Sequence, residues 1–128
     1  MAILKTRYER ATDPTFRADA FIPGGRLVTI VGEGATPSKP DVALTTASTD
    51  YSPGASATDA LEGDDVVVKH RGWMLLNAHG AITANTDVFP AANGRVQGIG
   101  TPDPADRPFG RALNAALAQD DYVWVKPY

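Results

Sequence analysis

The stretch DVVVKHRGWMLL, from Asp65 to Leu76, is the strongest indication of the fold in this sequence. Consecutive β-branched valines open it and an apolar run beginning at Trp73 closes it, a composition typical of β-strands. Gly72 lies between the two parts, where a glycine inside a strand pattern indicates a bulge or a bend. The segment therefore predicts a long strand that is bent near its middle.

Glycine and proline are spread along the whole chain, with 12 and 10 residues among 128. Because these residues punctuate strands and helices, their spread predicts many short strands joined by turns rather than long helices. Further strands are expected at Leu27–Val31, Val42–Thr46 and Tyr122–Val125. Ala92–Val96 contains Asn-Gly and predicts a hairpin, and Ala47–Thr58 predicts a mobile surface loop. Phe109–Asn114 is predicted as a strand, with one helical turn as the alternative.

Three segments repeat a similar pattern of an apolar residue, a turn with Asp or Asn, and a strand with valine. They are ALEGDDVVV (Ala60–Val68), AITANTDVF (Ala81–Phe89) and ALAQDDYVW (Ala116–Trp124). An Asp or Asn side chain can cap its own turn and release the chain into an extended run. The pattern predicts a barrel-like sheet built from repeated turn–strand units; the alternative is turn chemistry that any β-rich protein reuses.

The first 20 residues are polar and of mixed charge, with little apolar periodicity. We interpret residues 1–20 as an extended N-terminal arm and residues 21–128 as one β-rich domain; a terminus without a role is the alternative. The arm holds the candidate contact residues for a partner: Lys5, Arg7, Tyr8, Arg10, Phe16 and Arg17. The expected fold class is mainly β, a compact β-barrel or β-sandwich-like domain.

Residues that could carry chemistry are few. The chain has no cysteine, and its histidines, His70 and His79, match no metal-ligand spacing. The pairs Asp64–Asp65 and Asp120–Asp121 are interpreted as turn caps rather than as metal ligands, since adjacent strand residues point to opposite faces. No nucleotide-binding or hydrolase motif occurs. We therefore expect no enzyme activity, no cofactor and no metal site.

The overall charge excludes further classes of function. The net charge of −3 is unlike that of a general nucleic-acid binder, which carries a basic excess. No apolar run approaches the ~18 residues of a membrane-spanning helix, and the start of the chain lacks the pattern of a signal peptide. We expect synthesis in the cytoplasm and no contact with nucleic acid or membrane. Trp73 and Trp124 fall in strand segments and are possible subunit-contact residues.

Three parts of the chain carry a resemblance to a known family: FIPGGRLV (Phe21–Val28), ALEGDDVVV (Ala60–Val68) and GRALNAALAQDDYVWV (Gly110–Val125). They resemble the small capsid decoration, or cement, proteins of tailed phages, in which a Gly-Asp-x-Val-x-Val-like turn and strand recurs. The resemblance extends over most of Phe21–Val125. Gln119 stands where the pattern has glycine, and the proline-rich loop Thr101–Pro108 resembles an insertion.

The resemblance implies a structural virion protein of a bacteriophage, made in the host bacterium's cytoplasm. It also implies a homotrimer that binds the outer surface of the capsid, contacts the major capsid protein and stabilises the head by bridging capsid subunits. It implies no catalytic residues. The alternative is a small ligand- or carbohydrate-binding β-barrel of a phage tail or host-recognition apparatus, with an aromatic platform formed by Trp73 or Trp124 and Tyr51.

Overall fold

The structure, a computed structural model, describes residues 15–36 and 39–128. Within these residues the chain forms ten β-strands and one short 3₁₀ turn, Ala92–Gly94. The strands are β1 Thr15–Ala18, β2 Leu27–Thr36, β3 Lys39–Leu44, β4 Gly54–Ser56, β5 Asp65–Lys69, β6 Met74–Asn77, β7 Asp87–Pro90, β8 Val96–Gln97, β9 Gly110–Ala112 and β10 Tyr122–Pro127. The mainly β fold class predicted from the sequence is confirmed, and the architecture is a barrel rather than a sandwich.

Strands β1 to β5 close into a barrel in the order β1-β3-β2-β4-β5. β1 completes the closure, because it pairs in parallel with β3 and antiparallel with β5. Thr15–Ala18, part of the arm predicted over residues 1–20, is thus a strand of the barrel wall, and Ala18 is fully buried. The proposed arm comprises the residues that precede β1. Residues 1–14 lie outside the described part of the chain.

Strands β6 to β10 form a second sheet, in the order β6-β10-β9-β7-β8. A parallel bridge between Ala78, which follows β6, and Val96 of β8 joins the two ends of this sheet. We call β1–β5 the first barrel, and β6–β10 with this bridge the second barrel. The bent strand expected over Asp65–Leu76 is therefore two strands, β5 and β6, that belong to different barrels.

The second barrel repeats the first strand for strand. β6, β7, β8, β9 and β10 occupy the places of β1, β2, β3, β4 and β5, with matching neighbours and directions. The hydrogen bonds repeat as well. Ile22 and Ala60 exchange two backbone hydrogen bonds of 2.8 and 2.9 Å, and Ile82 and Ala116 exchange two of 2.9 and 3.0 Å. The chain is thus an internal duplication of one barrel.

The turn–strand units found in the sequence are the corners of these barrels. A residue with positive φ lies at each corner: Gly63, Asn85 and Asp120 in the three repeated segments, and Gly25 in a fourth unit that the sequence comparison missed. Glycine, asparagine and aspartate are the residues that tolerate this left-handed conformation. The strand of each unit therefore begins after the same kind of turn; these strands are β5, β7, β10 and β2.

The apolar core consists of two clusters that do not coincide with the two barrels. One lies inside the first barrel and includes Ile22, Val42 and Val66. The other fills the second barrel but also takes Leu27 from β2 and Ala55 from β4. Because the first barrel donates side chains to the second core, the two barrels share one packed body.

Candidate interaction surfaces

An apolar cluster lies on the outer face of the second barrel. Leu75 of β6 is directly opposite Trp124 of β10, and Tyr122 precedes Trp124 on the same side of β10. Trp73, Leu75, Tyr122 and Trp124 are 62%, 42%, 64% and 45% exposed. We call these four residues the aromatic face. Trp73, Leu75 and Trp124 also line a groove of about 420 Å³.

The strand alternation explains why these side chains point outwards. Val123 and Val125 of β10 and Met74 and Leu76 of β6 are buried. Since successive side chains in a strand point to opposite faces, the residues between them must face solvent. The fold therefore determines the direction of Leu75, Tyr122 and Trp124 but does not require them to be apolar.

The first barrel gives a direct comparison at equivalent positions. The pair Leu75–Trp124 corresponds to Thr15–Val67, as the registers of β6–β10 and β1–β5 show. In the same register, Tyr122 corresponds to Asp65. The same backbone positions thus carry large apolar side chains in the second barrel and smaller or charged ones in the first.

Polar side chains beside the aromatic face are engaged by the protein's own backbone. Lys69 Nζ donates to the carbonyl of Trp73 at 3.3 Å, and Asn77 Nδ2 donates to the carbonyl of Asp120 at 3.4 Å. Ser56 Oγ donates to the Pro23 carbonyl at 2.6 Å. Asn114 Oδ1 accepts the Trp124 N–H at 2.7 Å. These groups support the face structurally.

A second pair of exposed apolar residues occupies the repeated corners. Leu61 follows Ala60 in the first barrel, and Leu117 follows Ala116 in the second. They are 63% and 85% exposed. Unlike the residues of the aromatic face, these leucines are the same in both halves of the duplication. The molecule therefore presents the same apolar side chain at two equivalent corners.

Charged groups fix the corner that precedes β10. Arg95 Nε donates to Asp120 Oδ1 at 2.7 Å, and Arg95 Nη2 donates to Oδ2 at 3.2 Å. The hydrogen bond from Arg95 lowers the pKa of Asp120 below its ordinary value. Asp121 Oδ2 accepts the backbone N–H groups of Leu117 and Ala118 at 3.0 Å each. The sequence interpretation of Asp120–Asp121 as turn-forming residues agrees with these contacts.

A further groove, of about 510 Å³, lies on the second barrel between the corner before β7 and the loop after β8. Its charged residues are Asp87 and Arg111, which form an ion pair of 3.6 Å. The Tyr128 hydroxyl donates to Asp87, and this hydrogen bond raises the pKa of Tyr128. These side chains neutralise one another, so the groove presents no strong charge to a ligand.

The candidate contact residues predicted from the sequence fall into three groups. Lys5, Arg7, Tyr8 and Arg10 lie outside the described residues. Phe16 is half-buried against the core of the first barrel, and Arg17 donates to Asp41 at 3.3 Å, so both support the barrel wall. Trp73 and Trp124 lie together in one face, as described above.

The sequence interpretation missed Leu75 and Tyr122 as members of that face. The period-2 alternation of Tyr122 and Trp124 carries the signal for Tyr122. The register that brings Leu75 beside Trp124 is a long-range pairing that a sequence pattern does not contain. Tyr51, the third member of the alternative aromatic platform, does not line the groove.

Neither a metal site nor a membrane-spanning helix occurs in residues 15–36 and 39–128. This part of the chain contains no group of three or more His, Asp or Glu side chains arranged to hold a metal ion. It also contains no helix with the length and apolar character needed to span a membrane.

Together, these observations define a mainly β protein of two repeated barrels, with exposed apolar side chains on one face and at two corners. Residues 8–127 match the family of phage cement proteins, and the chain belongs to this family. It is therefore a structural component of a phage particle. The fold is similar to that of the N base of the head fiber protein gp8.5 of bacteriophage phi29, with 18% identity, a TM-score of 0.70 and coverage of 91% of this chain and 92% of that one. The search of curated proteins found no match.

Proposed function

We propose that this protein binds the outer surface of a phage capsid and stabilises the head by bridging neighbouring copies of the major capsid protein. Membership of the phage cement family carries this proposal. The similarity in fold to a phage head fiber base supports it. The protein acts as a binding and structural component without catalytic activity, and is made in the cytoplasm of the host bacterium.

The internal duplication supplies a physical basis for bridging. Leu61 and Leu117 are equivalent exposed corners, 63% and 85% exposed, on one packed body. Two similar apolar contact points on a rigid molecule can engage two neighbouring capsid subunits. Once the first point is bound, the second binds at a high effective concentration, so that the pair holds more strongly than either alone.

The N-terminal segment adds a further proposed contact. Lys5, Arg7, Tyr8 and Arg10 combine positive charge with an aromatic ring, a combination suited to a polar protein surface. We assign this segment to the capsid and the aromatic face to contacts between copies, which associate as a homotrimer on the shell.

Binding and protection of purified capsids test the proposal. Cryo-electron microscopy with saturating protein should show added density on the outer surface, and decorated capsids should survive heating or osmotic shock better than bare ones. The double variant Leu61→Ser/Leu117→Ser should bind about tenfold or more weakly. The single variants should fall in between. Capsids without added density and with unchanged survival would contradict the proposal.

A ligand-binding module is the second candidate, and the groove beside Trp73 and Trp124 favours it. An aromatic platform binds a sugar only if nearby polar groups also bind its hydroxyls, since buried hydroxyls need partners. Here Lys69, Asn77 and Asn114 are engaged by backbone atoms. Screening with an oligosaccharide array tests this candidate: tryptophan-dependent binding of one glycan would support it over the cement function.

A further inference from the structure

We propose that copies of this chain associate head to tail, with the aromatic face of one copy packed on the equivalent face of the first barrel of the next. The two surfaces are the aromatic face (Trp73, Leu75, Tyr122 and Trp124) and its counterpart around Val67, which we call the Val67 face. The inference deepens the proposed function and rests on it for the capsid shell as the place of assembly. The association itself is a property that the free chain should also show.

The internal duplication separates what the fold needs from what it does not. Thr15–Val67 and Leu75–Trp124 occupy the same register in two barrels of the same topology. A barrel closes with either pair, so folding does not account for a half-exposed tryptophan at position 124. Large exposed apolar patches on soluble proteins mark sites of contact with other molecules.

The exposed area of the aromatic face is about half of what one partner buries in a standard protein interface. A fully exposed aromatic side chain offers about 150–250 Å². With the exposed fractions given above, the four side chains expose on the order of 450 Å² of mostly apolar surface. A standard interface buries about 800 Å² on each partner. The face therefore supplies the apolar centre of such an interface, and association of the free chain should be weak.

The Val67 face carries short side chains and a charged pair. Val67 is 39% exposed, and the residue opposite it is the short Thr15. Ala57, whose N–H donates to the Val67 carbonyl at 2.9 Å, is also short. On the same outer side Asp65 pairs with Lys39 at 3.1 Å. A small apolar centre beside a charged pair is the composition of a protein-binding surface, and its short side chains leave space for the tryptophans of a neighbouring copy.

A contact between two different surfaces has a consequence for assembly. Each copy retains one unused face after the first contact, so further copies add until the ring closes. Two aromatic faces meeting each other would instead stop at a dimer. The head-to-tail contact is therefore the arrangement compatible with a ring of three copies.

Sedimentation velocity on the free chain, from about 10 μM to about 1 mM, tests the proposal, with circular dichroism as the check on folding. The wild type should associate as its concentration rises. Leu75→Ser/Trp124→Ser, which removes the aromatic face, and Val67→Glu, which places a charge in the other face, should each stay monomeric. Phe21→Ser, at an exposed aromatic residue outside both faces, should associate as the wild type does.

Mixing the two monomeric variants gives the decisive measurement. Each retains the face that the other lacks, so an equimolar mixture should form a dimer and no larger species. A mixture that stays monomeric, a wild type that is monomeric at about 1 mM, or association by either variant alone would overturn the proposal. Capsid decoration is scored separately. A chain that associates but leaves capsids bare contradicts only the proposed function, and a chain that decorates without associating contradicts only this inference.

Discussion

At the scale of single residues, two equivalent glycines allow β4 and β9 to approach their neighbours. A Cβ atom added at Gly54 would lie 2.2 Å from the Lys69 carbonyl oxygen, and one at Gly110 would lie 2.4 Å from that of Lys126. Both neighbours are backbone atoms of paired strands, which cannot move aside without breaking the sheet. The same requirement thus occurs once in each barrel, as the duplication predicts.

Gly110→Ala should therefore destabilise the protein by about 2–3 kcal/mol, the usual cost of overpacking that forces a backbone shift. Gly98→Ala is the matched control, because no heavy atom lies within 4 Å of its added Cβ, and it should change the unfolding free energy by less than about 0.5 kcal/mol. Urea denaturation measures both. Equal stability of the two variants would show that β9 can retreat from β10.

The ion pair at the corner of β10 should make stability depend on acid. The Arg95 hydrogen bond lowers the pKa of Asp120 from 3.8, so its contribution is present above that value and is lost as the pH falls through the folded-state pKa. Asp120→Asn should lower Tm at pH 7, while the difference from wild type should narrow as the pH falls below 3.8 and through the folded-state pKa. Asparagine tolerates the positive φ of 68° at this position, so the substitution should leave the backbone conformation unchanged.

Arg95→Gln serves as the control for this interpretation. If Asp120 and Arg95 stabilise the protein only through their ion pair, the double variant Asp120→Asn/Arg95→Gln should be no less stable than either single variant. A difference between Asp120→Asn and wild type that persists unchanged at pH 2 would assign the effect to the turn rather than to the ion pair.

At the scale of elements, local patterns predicted strands well and their partners poorly. Alternation and turn residues are local signals, and they identified the strands at Asp65, Tyr122 and Leu27, and the Asn-Gly hairpin between β7 and β8. Thr15–Ala18 has only two alternating apolar residues, Phe16 and Ala18, which is too short a pattern to predict a strand. This strand arises from pairing with two neighbours, which is tertiary context. β4, a buried Gly-Ala-Ser strand within a predicted surface loop, was hidden by its small residues for the same reason.

Asn114 shows how one side chain continues a strand after the backbone has left it. β9 ends at Ala112, yet Asn114 Oδ1 accepts the Trp124 N–H at 2.7 Å and Nδ2 donates to the Tyr122 carbonyl at 3.4 Å. The amide side chain thus replaces a neighbouring strand along β10. This contact also holds the backbone beneath two residues of the aromatic face.

Asn114→Ala should cost about 1–2 kcal/mol, because it leaves a strand N–H and a carbonyl without these partners. Asn114→Asp keeps an acceptor for the Trp124 N–H but loses the donor, so its loss should be smaller. Chemical denaturation ranks the two variants. An alanine variant as stable as the wild type would mean that water replaces the side chain on β10.

At the scale of the whole molecule, the shared core predicts that the two barrels unfold together. Leu27 belongs to a strand of the first barrel but packs in the core of the second. Leu27→Ala should cost about 2–5 kcal/mol, the range for a truncated core leucine. It should shift the unfolding curve of tryptophan fluorescence, which reports on Trp124 in the second barrel, as much as that of circular dichroism. Separate transitions for the two probes would show that the barrels unfold independently.

The boundary between arm and barrel gives the last prediction, a comparison of two truncations. Removing residues 1–13 ends the deletion before β1, so the protein should keep its Tm while binding capsids about tenfold or more weakly, since it loses Lys5, Arg7, Tyr8 and Arg10. Removing residues 1–20 also deletes β1, which leaves β3 and β5 with unpaired edges and opens the first barrel. That chain should be unfolded or aggregated by circular dichroism and light scattering.

The variant Lys5→Gln/Arg7→Gln/Arg10→Gln in the full chain separates the effect of the positive charges on capsid binding from the effect of shortening the chain. If the shorter truncation binds capsids as tightly as the full chain, the first 13 residues make no capsid contact, and the attachment must be sought on the barrels, first at Leu61 and Leu117.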